Sequence, residues 1–493
     1  MADICLVVPP SLVLSDERTF MHLGILKVGA VLKHNGVPTD MLDLSGVKNY
    51  LDVVETYAKE SVTCTFGITA TSPQMPASAE IARVIRNHVP DARIILGGPH
   101  VTLVNAATKK ETARSSLGRA GRAFEKLRSL FDGLVAGDGE IAILRMLENP
   151  ALGFIDADDR KSDLYLKSSE LNLMPFPARE MVDVESYKYT IDGVRALSMI
   201  AQLGCPFQCG FCGGRESDYL RRVRLRNTES VVAEMRHIFE TYGVRGIMLY
   251  DDELNVNKNM VELMDAIARL GDELKVEWRL RGFVKAELFT EAQAQAMHRA
   301  GFREVLTGFE SGSPLILKNI RKNATRDDNT RCVETARKAG LKVKALMSMG
   351  HPGESEETVR ETEEWLLSIE PNSFDLTRIT VYPGTPYFDH AVPHGSLEDT
   401  WTYTVDGHRL HSLEVDFLTD FLFYKGDRGD RAGLNTLATF TDYLSAEELV
   451  NLRKETEDRL RAKLGQPYQT DMAGIQYEHS MGMGLPDNIL RSA

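Results

Sequence analysis

Short apolar runs alternate with helically periodic stretches twice along this chain, and that alternation limits its fold more than any other feature. Over residues 3–148 the strand candidates are ICLVVPP (4–10), PTDMLDLS (38–45), CTFGITAT (64–71), ARIILGGPH (92–100) and FDGLVAGDGE (131–140). Helical stretches such as MHLGILKVGAVLKHNG (21–36) lie between them and stop at residues like Gly36. Strand–helix alternation of this kind builds a parallel sheet with helices on both faces, an α/β Rossmann-like domain. Ligands of such sheets sit outside the C-terminal strand ends. Here those ends read PP, TAT, GGPH and GDGE, where glycine permits close approach of backbone to a large ligand.

The alternation resumes from residue 196. Its strand candidates are ALSMIAQLG (196–204), GIMLYDDE (246–253), VEWRLRGF (276–283), EVLTGFES (304–311), KVKALMSMG (342–350) and DLTRITVYPG (375–384). Six βα-type strands are too few for a closed eight-stranded barrel, so an open partial (β/α)6 barrel is expected. The segment 107–129 is basic and contains Ser and Gly, which predicts a solvated insertion with one exposed helix. A connector over 151–195 carries the Pro-bearing LNLMPFPARE (171–180), which suits an ordered linker. Past residue 390, SAEELVNLRKETEDRLRAKLG (445–465) has a capping box and reads as a helix, and the rest as irregular. The expected domains are therefore 1–150, the connector, 196–390, and a mostly helical tail over 391–493.

A net charge of −13 over 493 residues argues against nucleic acid as the main partner, since phosphate contacts need a basic face. No apolar run reaches the length of a membrane span, and MADICLVVPP lacks the regions of a signal peptide, so a cytoplasmic protein is expected. Six cysteines in such a chain are no disulfide framework, and Cys5, Cys64 and Cys332 read as buried small hydrophobes. The other three, Cys205, Cys209 and Cys212, fall in GCPFQCGFCGG (204–214) with C-x3-C-x2-C spacing. A structural zinc ion takes four ligands, often as two C-x2-C knuckles, and no second knuckle follows. Three thiolates suit a [4Fe-4S] cluster with one iron left open, with zinc as the alternative.

C-x3-C-x-aromatic-C after the first strand of a six-stranded partial barrel resembles the radical S-adenosylmethionine (radical SAM) superfamily. The resemblance implies that SAM chelates the open iron and is cleaved reductively to a 5′-deoxyadenosyl radical. It implies SAM contacts from Phe211 beside the last cysteine and from Asp252 in YDDE (250–253). It adds Arg281 on the third strand, Glu310 in GFESGS (308–313) and Ser348 in SMGHPGES (348–355). YPGTPYF (382–388) closes the sixth strand, and Tyr382, Tyr387, Trp401 and Tyr403 are aromatic candidates for a substrate side or for packing.

Residues 1–390 together resemble the subgroup in which a cobalamin-binding domain precedes the barrel. The elements that match are Thr69 and Thr71 in TAT, Gly97, Gly98 and Pro99 in GGPH, and Gly137 and Gly139 in GDGE, where Asp138 replaces the usual Glu. The D-x-H-x-x-G motif that supplies an axial His is absent from this domain. Its near match DGHRLH (406–411) lies in the tail with His411 in place of Gly, and His22 and His100 read as structural or hydrogen-bonding. Methylthiotransferases need three more cysteines in their first domain, whereas this one has Cys5 and Cys64. The resemblance thus implies a cobalamin-dependent radical SAM C-methyltransferase for a small molecule, of a bacterial natural-product pathway. Its cofactors would be a [4Fe-4S] cluster, SAM and cobalamin. Ring contraction, cyclisation and polar methylation are alternatives, as is a first domain that has lost cobalamin. An electron donor such as flavodoxin or ferredoxin is implied as partner.

Overall fold

A computed structural model describes residues 3–11, 14, 16–113, 118–395, 399–420 and 439–468. Strands β1 (Ile4–Val8), β2 (Thr39–Asp43), β3 (Thr65–Thr69), β4 (Arg93–Gly97), β5 (Gly133–Gly137) and β6 (Phe154–Ala157) form one parallel sheet in the order β2-β1-β3-β4-β5-β6. Every residue of β1 is buried, as its unbroken ICLVV run requires when both faces are covered. Alternate side chains serve different cores: Ile4, Leu6 and Val8 enter one, Cys5 and Val7 the other. The chain order reverses between β1 and β3, which opens a crevice at their C-terminal ends. The sixth strand was not among the expected elements, because FIDA is short and sits where a connector was expected; it extends the sheet to Ala157.

The second sheet runs β8 (Val194–Met199), β11 (Gly246–Leu249), β12 (Arg279–Phe283), β13 (Phe302–Glu310), β14 (Lys342–Met349) and β15 (Ser373–Arg378), each parallel to the next. A short antiparallel strand β7 (Thr190–Ile191) flanks β8. With β15 and β7 as separate edges, the sheet is the expected open partial barrel. Two further short strands, β9 (Gln202–Leu203) and β10 (Arg224–Leu225), pair antiparallel and bracket the cysteine loop. The LNLMPFPARE linker is ordered: Ala178 N–H reaches Leu26 O at 3.1 Å. Arg179, fully buried, donates to Ser198 O at 2.8 Å and to Glu234 at 2.7 Å.

Three expectations need correction. The 107–129 segment is no solvated insertion: helices Pro99–Ala113 and Arg119–Leu130 pack together, and Arg119 is buried between Phe388 and Trp401 at 4.0 and 4.5 Å, paired with Glu414 at 2.7 Å. Lys126 likewise pairs with Asp416 of the tail at 2.8 Å and Lys110 with Glu216 at 3.0 Å, so part of the charge misread as solvation is interface. The tail itself is less helical than expected. Beside helix Ala446–Leu464 it carries an antiparallel sheet of β16 (Val392–Pro393), β17 (Thr400–Val405), β18 (His408–Leu413) and β19 (Thr439–Thr441). Asp406 and Gly407 form a two-residue hairpin with φ of 48° and 82°, the turn that Asp-Gly favours between right-twisted strands. DGHRLH is therefore a turn and a strand, and His411 bonds Thr402 at 2.9 Å and Asp442 at 3.1 Å. Finally, Cys64 is exposed on the approach to β3, while Cys5 and Cys332 are buried as expected. Expectations for 421–438 and 469–493 lie outside the described residues.

Candidate active site

The three cysteines lie on the loop between β9 and β10, at the C-terminal mouth of the barrel. The loop is fixed by its backbone. Gly204 has φ of 86° and its N–H donates to Asp252 Oδ2 at 2.8 Å; a Cβ there would stand 2.0 Å from Arg222 O. Gly210 N–H donates to Ile320 O at 2.7 Å, and Gly214 N–H to Gly384 O at 3.1 Å. Asp251, which sequence reasoning did not single out, accepts from Ala201 N–H at 2.8 Å and from Gln202 N–H. The acids of YDDE thus hold the loop's entry. Burial raises the pKa of all three thiols, Cys205 to about 11, so iron must displace protons to bind there. Three thiols on one clamped, glycine-bearing loop are the donor set that a [4Fe-4S] cluster with one open iron would take.

Beside the loop runs a continuous chain of polar groups. Ser348 Oγ donates to Glu310 Oε2 at 2.7 Å, so toward His351 Nε2, 2.8 Å away, it accepts. His351 is buried and its pKa held down to about 3, so its ring is neutral with the proton on Nε2. Nδ1 then accepts from the Tyr387 hydroxyl at 3.2 Å. Glu310 is anchored by Lys322 at 3.4 Å and sits in a left-handed conformation, φ 65°, at a bulge of β13. Phe211 lies 5.3 Å from the His351 ring. The structure so brings together Phe211, Glu310 and Ser348 with Tyr387, an aromatic candidate of the sequence, and adds His351, whose motif was quoted without a role for it, and Lys322, whose sequence context carries no signal. Glu253 Oε2 is buried with no hydrogen-bond partner among the described residues, which leaves an acceptor open for a ligand donor. Arg281 stands apart: it lies mid-strand in β12, buried, bonded to Glu304 at 2.5 Å and Tyr189 at 3.0 Å. Tyr382 and Tyr403 pack against Phe417 and Tyr387.

A cavity of about 440 Å³ opens between the two sheets. Thr69 and Thr71 at and beyond the end of β3, Gly97, Gly98 and Pro99 at and beyond the end of β4, and Gly137 and Gly139 at and beyond the end of β5 all line it. Gly98 and Gly137 have φ of 97° and 85°, and a Cβ on either would meet backbone within 2.8 Å. The cavity continues to Gln202, Leu203, Tyr219 and Tyr250 on the barrel side, so it reaches the strand that opens the cysteine loop. The domains are locked across it. Asp138 of GDGE accepts from Arg224 at 2.6 Å, and Arg224 is flanked by Tyr165 and Tyr219 rings at 4.6 and 4.9 Å. His22 lines the same cavity, whereas His100 is buried, bonded to Ser72 at 2.8 Å and held neutral by burial.

Residues 199–366 match the family model described as the radical SAM superfamily. The matched stretch is the barrel with its clamped three-cysteine loop, so that part of the chain is similar to a radical SAM domain. The chain shares its fold with two solved structures. It overlays the radical SAM methyltransferase TsrM from Kitasatospora setae, solved with cobalamin and a [4Fe-4S] cluster, with a TM-score of 0.61 at 17% identity, over 99% of this chain and 93% of that one. The cobalamin-dependent radical SAM enzyme OxsB overlays at 0.57 and 15% identity, over 76% and 53%. An uncharacterised methyltransferase of Pyrococcus horikoshii is 29% identical over 67% of this chain and 70% of its own length. The anaerobic magnesium-protoporphyrin IX monomethyl ester cyclase of Cereibacter sphaeroides is 26% identical; the match spans about half, 52%, of that protein.

Proposed function

We propose that this protein is a cobalamin-dependent radical SAM C-methyltransferase acting on a small molecule. The observation that carries the reading is the single cavity joining the glycine- and threonine-lined strand ends of the first sheet to the mouth of the barrel beside the cysteine loop. When bound, the cluster and SAM supply a carbon-centred radical, and cobalamin supplies a methyl carrier. The residues of this chain do the rest. Cys205, Cys209 and Cys212 would hold the cluster. Phe211, Asp252, Glu310 and Ser348 would bind SAM, with His351, itself held by Tyr387, bonded to the Ser348 hydroxyl. Arg281 is a SAM candidate already engaged by Glu304, which suits a supporting charge. Thr69, Thr71, Gly97, Gly98, Pro99, Gly137 and Gly139 would receive the corrin, their backbone conformations allowing a flat ligand to come close.

The Asp138–Arg224 pair keeps the two halves in register, so substrate is enclosed between them. No helix among the described residues is long and apolar enough to cross a membrane, and a cytoplasmic setting with a one-electron donor suits the chemistry. The cyclase relative supports a second reading, in which the same cofactors serve ring formation. Anaerobic protein reconstituted with iron, sulfide and cobalamin tests the proposal. About four irons per chain, retained corrin absorbance, and both 5′-deoxyadenosine and S-adenosylhomocysteine on reduction with SAM are expected. Iron without corrin overturns cobalt-borne transfer, and 5′-deoxyadenosine alone favours cyclisation.

A further inference from the structure

The outer face of the cysteine loop is basic in a chain whose net charge is −13. Pro206 and Gln208, between the first two cysteines, are exposed, while Phe207 turns inward over the buried Lys285 ammonium at 4.1 Å. The cysteines beside this strip are themselves accessible, Cys205 and Cys209 in part and Cys212 exposed. Three arginines border it. Arg221 donates to Pro206 O at 3.4 Å and to Arg215 O at 3.2 Å, Arg215 donates to Cys209 O at 3.3 Å, and Arg321 follows the Ile320 carbonyl that holds Gly210. None of the three forms an ion pair among the described residues. The acids whose fields reach them are engaged elsewhere: Glu216 with Lys110 at 3.0 Å and Asp406 with Lys318 at 2.9 Å. Arg222, exposed, adds a fourth guanidinium beside Asp218 at 3.4 Å.

We infer that this arginine-bordered strip is the docking surface for a small acidic one-electron carrier protein. The inference rests on the cysteines being cluster ligands. A charge patch of this sign on an acidic molecule orients an acidic partner and raises its encounter rate, while the rest of the surface repels it. It lies beside the three cysteines that would hold the cluster. In the step itself one electron leaves the carrier's reduced prosthetic group and enters the cluster; the carrier is left oxidised by one electron, and no bond forms or breaks. Arg215 and Arg221 also tie down the loop, so Arg222 and Arg321 are the residues whose charge can be changed without touching it.

The test uses the full chain reconstituted with iron and sulfide, mixed with photoreduced flavodoxin in stopped flow while cluster bleaching is followed. The wild-type rate should fall as ionic strength rises, because exposed charges are screened within about 10 Å at 0.1 M salt. Arg321→Glu and Arg222→Glu should each slow reduction by flavodoxin about tenfold, with iron content and reduction by dithionite unchanged. Lys318→Glu should act in the same direction. Reversal at Arg83 or Arg128, which line a cleft at the N-terminal end of the first sheet, should change nothing. Flavodoxin rates that are insensitive to salt, or unchanged in both arginine variants, overturn the docking surface. Absence of iron in the wild type overturns instead the cluster reading on which it rests.

Discussion

At the scale of single residues, Ser348 is the joint of the site. It donates to Glu310 and accepts from His351, so its loss strands a carboxylate and an imidazole together. A hydrogen bond to a charged group contributes about 1.5–3 kcal/mol. Ser348→Ala should therefore weaken SAM binding about tenfold or more by equilibrium dialysis, with four irons retained. Glu354 is a second informative residue. It is buried, accepts from Gly350 N–H at 3.1 Å and from Thr358 at 2.6 Å, and burial raises its pKa from 4.5 to about 7. Between those values the unfolded chain ionises first, so unfolding releases a proton and stability falls as pH rises. The limit for one group is about 1.4 kcal/mol per pH unit. Urea midpoints measured across that window should fall less steeply for Glu354→Gln than for wild type. Cys205, Cys209, Cys212 and Phe211 were legible because their spacing is local. His351 and Lys322 were not, because their meaning depends on partners from other strands.

Among the elements, the cysteine loop shows how a short segment is held by distant ones. Its glycines answer to Arg222, Ile320 and Gly384 rather than to their own neighbours in sequence. Gly204→Ala must move Arg222 and adopt a left-handed φ, which costs about 1–3 kcal/mol in strain. Lower iron loading at equal protein concentration is the expected result, read by iron assay. The strand candidates of both sheets were legible from their apolar runs. The hairpin of the tail carried its signal too: TWTYTV and the Asp-Gly turn alternate as a strand should, although its histidines drew attention to ligand chemistry. The short β6 had no such signal, since four residues give periodicity too little length to act on.

For the whole molecule, the decisive relation is between domains. The Asp138–Arg224 pair is nearly inaccessible on both sides, so Arg224→Ala leaves a buried carboxylate unpaired at a cost of about 3–5 kcal/mol. A lower urea midpoint should accompany weaker corrin retention, even though iron binding remains. Gly97→Leu asks the complementary question. Its backbone needs no special φ and a Cβ there meets nothing closer than 3.8 Å, so the larger side chain projects along the cavity wall. Corrin absorbance after gel filtration should drop while fold and iron content stay. The sequence by itself determined the two strand–helix alternations, the thiol triad and the glycine-bearing strand ends, because each is written in adjacent residues and follows from local periodicity or spacing. Only the tertiary structure decided that Arg119 is an interface residue, that Arg281 is already paired, and that both sheets open onto one cavity. Those facts depend on which segments far apart in the chain share a boundary, and burial and charge pairing act across that boundary rather than along the sequence.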